Sequence, residues 1–350
     1  MHTMYMEKRQ FIKDIAVNGD VNGLFLIASA NQMQAKNGPF WRLEICDASG
    51  TLNAKIWSPL SASFETLTPG DVVHLEGRAG LFRDRIDISV DRMRVLAPYE
   101  LEALDMGQFL VSSERDPAEM LTELLELCRE VFTHRPWRKF VTGVLRNEEL
   151  AEALKAAPAA KSVHHAYRGG LLEHILSVSG LCMRIADHYP EIDRQVLLAG
   201  AIFHDIGKAW ELSGGLVNDY TDEGRLLGHI HIGLEQLEPF LRRSGLEHEL
   251  AVHFKHLILS HHGEYEFGSP RRPKTREAMV LHYADNLDAK MAQLNSLFKG
   301  FEDGETGWTP FQPTLQRFLY NPVRTPETET VRRKRPETPR EEQCSLLSKA

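Results

Sequence analysis

The chain has 350 residues, of which 42% are hydrophobic and 26% charged, and it carries a formal net charge of −8 at pH 7. That length accommodates two separate cores, and the acid excess argues against a protein that coats nucleic acid electrostatically, though not against one with a local basic groove. Met1 to Arg9 is polar and lacks an apolar signal core. The most apolar run, Val196 to Phe203, is far short of the roughly 20 residues of a membrane helix. Cys46, Cys128, Cys182 and Cys344 form no CxxC pair, which removes a thiolate zinc site or redox dithiol and suits a reducing compartment. The expected location is the cytoplasm, with no membrane contact.

Residues 11–97 read as β-structure. Val21 to Ile27 is the first strand, and Phe40 to Cys46 alternates apolar with polar side chains. The turn cluster Asp47-Ala48-Ser49-Gly50 leads into Thr51 to Trp57. Asp71 to Gly77 and Arg85 to Val90 complete the series. Short strands with no long helix predict an OB-fold-like barrel. The interior of such a barrel needs bulk, so Phe25 and Trp57 are expected inside. Phe82 and Arg83, near a strand turn, are expected outside.

From Pro117 the apolar spacing changes to three and four: Met120, Leu121, Leu124, Leu125, Cys128 and Phe132. Asp116-Pro117 supplies the cap and the first helical position. Further helices are expected at about 137–146, 148–156, 169–188, 193–206, 226–243, 246–260 and 275–299 by the same periodicity. The whole is therefore a multidomain β + α chain: the barrel at 11–97, a helical connector at 98–160, and an all-α domain at 161–300. Prolines and charges dominate residues 321–350, which read as a disordered tail containing the basic run Arg332-Arg333-Lys334-Arg335.

Most of the 16 histidines fall between His164 and His262. His204-Asp205 ends an apolar helix, where two buried polar groups are costly unless paired or bound to metal. His174 shares a helix face with Leu171 and Val178 and so points inward. His229, the pair His261-His262, and Asp285 follow in order. Each has an ordinary alternative: a core histidine, a helix cap, a polar turn, an ion pair. The joint set fits a metal cluster better than four coincidences. Ala209 follows Lys208 where a P-loop needs Ser or Thr, and His248 and His253 are too far apart for a zincin helix.

This order of residues resembles the HD-domain superfamily of metal-dependent phosphohydrolases. More narrowly, the runs His164-His165-Ala166-Tyr167-Arg168-Gly169-Gly170-Leu171-Leu172-Glu173-His174, His204-Asp205-Ile206-Gly207-Lys208, Leu227-Gly228-His229-Ile230, Leu259-Ser260-His261-His262-Gly263 and Asp285-Asn286-Leu287-Asp288-Ala289-Lys290-Met291 resemble the YhaM family of 3′→5′ exoribonucleases, which joins an OB-fold to an HD domain. The resemblance covers residues 11–300. It implies one ion held by His174, His204, Asp205 and Asp285, and a second by Asp205, His229 and His261, with His262 as the rival ligand. Imidazole and carboxylate donors suit Mn²⁺ first, with Co²⁺, Fe²⁺ or Mg²⁺ as alternatives. Asp205 and Lys208 take the catalytic roles, Lys208 as a cation beside the phosphoryl oxygens. His164, His165 and Arg168 are candidate phosphate contacts.

A barrel beside a phosphohydrolase suggests capture of single-stranded RNA, and of single-stranded DNA as the alternative, on aromatic rings and cations. Trp41, Phe82 and Arg83 are the candidate contacts. The resemblance implies attack from the 3′ end. Two other readings remain open: a phosphohydrolase of nucleotides or cyclic dinucleotides with a regulatory barrel, and an inactive nucleic-acid-binding protein. A homo-oligomer is compatible with all three.

Overall fold

The computed structural model describes residues 8–82, 85–110, 112–113, 115–160, 167–213, 219–298, 301 and 304–325. Its first part is built on β1 (Asp20–Ala35), β2 (Gly38–Asp47), β3 (Gly50–Ile56), β4 (Val72–Phe82) and β5 (Arg85–Val95). They close a barrel in the order β1-β2-β3-β5-β4. The first strand serves two neighbours. Asp20 to Leu26 pairs with β4, while Leu26 to Ala35 pairs with β2. A register shift between Ile27 and Ser29 bends the strand at the changeover, as bulges do. Parallel pairing of Asn53, Ala54 and Lys55 with Asp87, Ile88 and Ser89 closes the circle. This is an OB-fold.

Alternation decides which side chains fill it. Leu43, Ile45, Ala54, Ile56, Val73, Leu75 and Ile88 point inward with Phe25 and Ile27. Two expectations about tryptophan are reversed. Trp41 shares strand parity with Leu43 and Ile45, is buried, and donates from Nε1 to the Phe64 carbonyl at 3.3 Å. It belongs to the core and offers no face for stacking. Trp57 stands one residue beyond inward Ile56, so it projects outward and is 42% exposed.

One end of the barrel is sealed by Lys8. Its ammonium is buried and donates to the Leu24 carbonyl at 2.6 Å and the Gln10 carbonyl at 3.0 Å. It pairs with Asp47 at 2.9 Å and lies over the rings of Phe11, Phe25 and Phe109. Burial pulls the Lys8 pKa down despite the hydrogen bond and charge of Asp47. Phe109 arrives from the segment after β5, which includes α1 (Pro98–Leu101). Leu96 and Phe109 pack on Leu24, Leu26 and Val72, so this part of the connector clads the barrel.

The helical part comprises α2 (Pro117–Val131), α3 (Arg135–Leu145), α4 (Glu148–Ala156), α5 (Gly170–His188), α6 (Arg194–Phe203), α7 (Lys208–Glu211), α8 (Asp222–Ser244), α9 (His248–Ser260) and α10 (Arg276–Phe298). Asp116 caps α2 by accepting from Ala118 N at 2.7 Å. One apolar core runs from Met120 in α2 to Ala284 in α10. Every residue from Val196 to Phe203 is buried, because α6 is surrounded by α2, α3, α5 and α9. That arrangement delivers His204 and Asp205 into the middle of the domain. Among the described residues no helix is long and apolar enough to cross a membrane.

The chain divides after Leu294 into two compact units. Within the second, β6 (Gly307–Trp308) pairs antiparallel with β7 (Tyr320–Asn321). Residues 326–350, with most of the expected tail and its basic run, lie outside the described residues.

Candidate metal centre

Five elements converge on one buried point. His174 comes from α5, His204 and Asp205 from the turn after α6, His229 from α8, His261 and His262 from the end of α9, and Asp285 from α10. The delivery of His229 depends on a break in α8. Gly228 has φ 73° and ψ 156° within the helix, a conformation that glycine adopts without Cβ strain. The break frees the backbone N–H of His229 to donate to Glu211 Oε1 at 3.0 Å. Gly263, at φ 83°, does the same after His261-His262. A Cβ there would meet the His282 ring at 2.2 Å.

Each imidazole is held by its Nδ1. His174 Nδ1 donates to Asp288 Oδ2 at 2.7 Å and His229 Nδ1 to Glu211 Oε1 at 3.1 Å. His204, His261 and His262 donate to the carbonyls of Ala201, Ile258 and Phe267 at 2.9, 2.8 and 2.8 Å. The acceptors are carboxylates and carbonyls, so the proton sits on Nδ1. Fixing that tautomer turns Nε2 to the centre as a lone pair, which is how ligating histidines are oriented.

The two oxygens of Asp205 face opposite ways. Oδ2 lies 3.4 Å from His174 Nε2 and 3.3 Å from His204 Nε2. Oδ1 lies 3.4 Å from His229 Nε2 and 3.5 Å from His261 Nε2. Two donor groups therefore share this carboxylate: His174, His204, Asp205 and Asp285, and Asp205, His229, His261 and His262. Both members of the His261-His262 pair fall in the second group. Asp205 Oδ1, His229 Nε2 and His261 Nε2 are buried with no hydrogen-bond partner. Stranded buried polar atoms are costly, and three that face one another are satisfied together by a cation. The donor set thus fits a divalent ion.

The electrostatics agree. Burial opposes ionisation of Asp205, but Lys208, His204 and His174 outweigh it and hold the carboxyl well below its usual range. Asp285 is likewise held low, against burial, by His174 and His204. Burial would lower the His174 pKa, yet Asp205, Asp285 and Asp288 raise it well above that of an ordinary imidazole, so a cation must displace the Nε2 proton before this ring can ligate it. Burial and neighbouring His261 push His262 down to about 4. Lys208 donates to Asp205 Oδ2 at 2.7 Å, and although burial works against its charge, Asp205 and Asp285 keep the ammonium protonated.

Other sequence candidates lie elsewhere. Arg168 is exposed and joins Ser113 through its backbone carbonyl at 3.0 Å. His164, His165 and Arg83 lie outside the described residues. Phe82 is 54% exposed at the end of β4, with the Lys55 ammonium 4.2 Å from its ring centroid. Trp57 stacks on Phe40 with centroids 4.7 Å apart. Lys55, Trp57, Arg78 and Phe82 line a cleft of about 380 Å³ on the barrel.

Residues 171–290 match the HD domain family and residues 26–96 the OB-fold nucleic acid binding domain family. The 3′-5′ exoribonuclease YhaM of Bacillus subtilis is 36% identical over 290 residues, covering 83% of this chain and 91% of that protein. The YhaM of Listeria innocua is 33% identical over 319 residues, covering 91% of this chain and 99% of that protein. The chain belongs to the YhaM family. The HD domain of this YhaM-family chain implies divalent metal binding, and the two histidine and aspartate groups are where an ion could sit.

Three residues around this YhaM-family centre have no role assigned in the sequence reading, although Asp288 lies in one of its motif runs. Asp288 holds the back of His174, Ser177 Oγ donates to Asp288 Oδ1, and Glu211 holds His229. The available signals were spacings: Asp288 stands one helical turn after Asp285, and Glu211 one turn after Lys208.

Proposed function

We propose that this protein is a metal-dependent exonuclease that shortens single-stranded RNA from its 3′ end. The observation that carries the reading is the Asp205 carboxylate, divided between two donor groups that contain three unsatisfied buried atoms. His174, His204, Asp205 and Asp285 would hold one ion, and Asp205, His229, His261 and His262 the other, with Mn²⁺ the favoured ion. Bound divalent ions supply Lewis acidity toward phosphoryl oxygens and make water more acidic near neutral pH.

The protein's own groups do the rest. Lys208 keeps Asp205 ionised and presents a fixed positive charge at the edge of the site, where it counters charge building on a phosphoryl oxygen. Glu211 and Asp288 fix the tautomers of His229 and His174, so no ring must turn during turnover. On the barrel, the stacked Phe40–Trp57 pair and the Phe82 ring capped by Lys55 receive bases, and Arg78 follows the phosphates. In this reading residues 11–97 capture RNA and 161–300 cut it. The three described cysteines are unpaired, which supports a reducing, cytoplasmic setting.

The deciding experiment uses metal-stripped full-length protein resupplied with Mn²⁺ and 5′-labelled single-stranded RNA, with Asp205→Ala as the control. A ladder shortening from the 3′ end, absent in the control, supports the reading. Hydrolysis of nucleotides or cyclic dinucleotides with intact RNA would replace it.

A further inference from the structure

The segment after the metal centre carries two exposed rings on a fixed frame. Tyr265 is 55% exposed and Phe267 63% exposed, although they lie within six residues of buried His261. Large exposed apolar side chains clustered beside a polar site mark a contact surface. The frame is rigid. Phe267 N donates to the Glu264 carbonyl at 3.1 Å and Gly268 N to the Tyr265 carbonyl at 3.0 Å. Buried Ser269 donates through Oγ to the Arg271 carbonyl at 2.6 Å, with the Leu259 carbonyl 3.2 Å away, and Arg271 N donates to that Leu259 carbonyl at 3.2 Å.

The frame is also tied to the centre. The Phe267 carbonyl is the acceptor that fixes Nδ1 of His262, at 2.8 Å. One face of the Tyr265 ring is backed by the Arg272 guanidinium, 5.0 Å from the centroid, and Glu264 holds that guanidinium at 2.8 Å. The exposure of Tyr265 therefore belongs to the other face. Between Gly263 and Arg276, Arg271, Arg272, Lys274 and Arg276 outnumber Glu264 and Glu266, and all six are exposed. A locally basic segment in a chain of net charge −8 attracts a polyanion.

We infer that Tyr265 and Phe267 form a stacking platform for the bases at the RNA end that enters the metal centre, with Arg271, Arg272 and Lys274 contacting the phosphates behind it. This rests on the exonuclease reading and adds the residues that grip the end being cut. Ring-on-base stacking tolerates any sequence because every base has a π-face. Such a grip suits an enzyme that must release and rebind a new terminal base after each cut.

The test uses full-length protein and the variants Tyr265→Ala, Phe267→Ala and the double variant. With Mn²⁺, the KM for single-stranded RNA is expected to rise about 5- to 150-fold per lost ring. Hydrolysis of bis(p-nitrophenyl) phosphate, which has no base, should fall by a much smaller factor. Tyr265→Phe and Phe267→Tyr should restore the RNA KM. In a parallel measurement, metal-stripped protein is mixed with intact RNA ending in 2-aminopurine, whose fluorescence is quenched by stacking. Quenching by the wild type but not by the double variant supports the platform. Equal quenching, an unchanged RNA KM, or equal losses on RNA and the small diester would overturn it, and would leave the segment as a protein-docking or purely structural element. Intact RNA in the wild-type reaction would instead overturn the exonuclease reading.

Discussion

Oδ2 of Asp288 lies 2.7 Å from Nδ1 of His174, on the side of the ring away from the other donors. Ser177 Oγ binds the second oxygen of the same carboxylate. This backing sets which imidazole nitrogen carries the proton. Replacing Asp288 with Ala should weaken Mn²⁺ binding by about 10- to 100-fold, the usual cost of losing such a partner. Asp288→Asn, which can still accept from Nδ1, should lose less. Titration calorimetry on metal-stripped protein measures both, and equal affinity in Asp288→Ala and wild type would remove Asp288 from the centre.

Stability should follow metal. A ligand bound only by the native state adds about 2.7 kcal/mol at 100 times its Kd, which for a domain of this size is a rise in Tm of roughly 5–10 °C. Chelation should reverse it. In Asp205→Ala the melting curve should be indifferent to Mn²⁺. A wild-type Tm unmoved by saturating Mn²⁺ would argue that no buried ion is taken up.

Gly207 tests the packing that supports the centre. A Cβ at this position would stand 1.9 Å from the His229 carbonyl oxygen and 2.7 Å from Gly233 N. Both are backbone atoms, so neither can swing aside. Gly207→Ala should therefore cost at least about 1–3 kcal/mol, the usual range for overpacking, and should lower metal affinity by displacing His229. Chemical denaturation and metal titration of the same variant separate the two effects.

At the barrel end, the two partners of the buried pair are not equivalent. Asp47 also accepts from Ile12 N, Ser49 N and Ser49 Oγ, so Lys8→Met leaves a carboxylate that remains hydrogen-bonded. Asp47→Ala leaves the buried ammonium without a counter-charge, held only by the Leu24 and Gln10 carbonyls, and deprives three donors of their acceptor. Breaking a buried pair costs about 3–5 kcal/mol, and Asp47→Ala should lie at or above that range with Lys8→Met below it. Urea denaturation of each variant gives the ranking, and the opposite order would contradict the contacts.

A pH dependence follows from Glu238, which joins α8 to α9. Hydrogen bonds from Lys255 at 2.6 Å and Arg242 at 2.9 Å hold its carboxyl below the usual value. The folded pKa is thus lower than the unfolded one, near 4.3. Its contribution is complete above the unfolded value and disappears as pH falls through the folded one. These side chains are partly exposed, so Glu238→Gln should cost less than about 1 kcal/mol at pH 7. The difference from wild type should begin to shrink as pH falls below about 4.3 and close only once pH is below the lowered folded value, as thermal melts across pH would show.

Much of this was legible along the chain. Alternation from Phe40 to Cys46 reveals β2, and the same parity assigns Trp41 to the interior with Leu43 and Ile45. Treating Trp41 as a nucleic-acid contact set aromatic character above position. The extent of β1 is hidden because the bend near Ile27 and Ser29 lets one strand face two partners, and no local pattern records that. The donors of the centre were visible because polar residues interrupt apolar helices. Asp288 and Glu211 were not, since a carboxylate behind an imidazole looks like any surface acid until the helices are packed.

Asp285 is supplied by α10, the last helix of the compact unit that ends at Leu294. Chains emerge from the ribosome N-terminus first. During translation the barrel can close and α2 to α9 can gather while the first donor group still lacks its final carboxylate. On the exonuclease reading, a nascent chain is therefore a nuclease without a complete centre, held beside the messenger RNA that encodes it. Until α10 has been made, the first donor group is one carboxylate short.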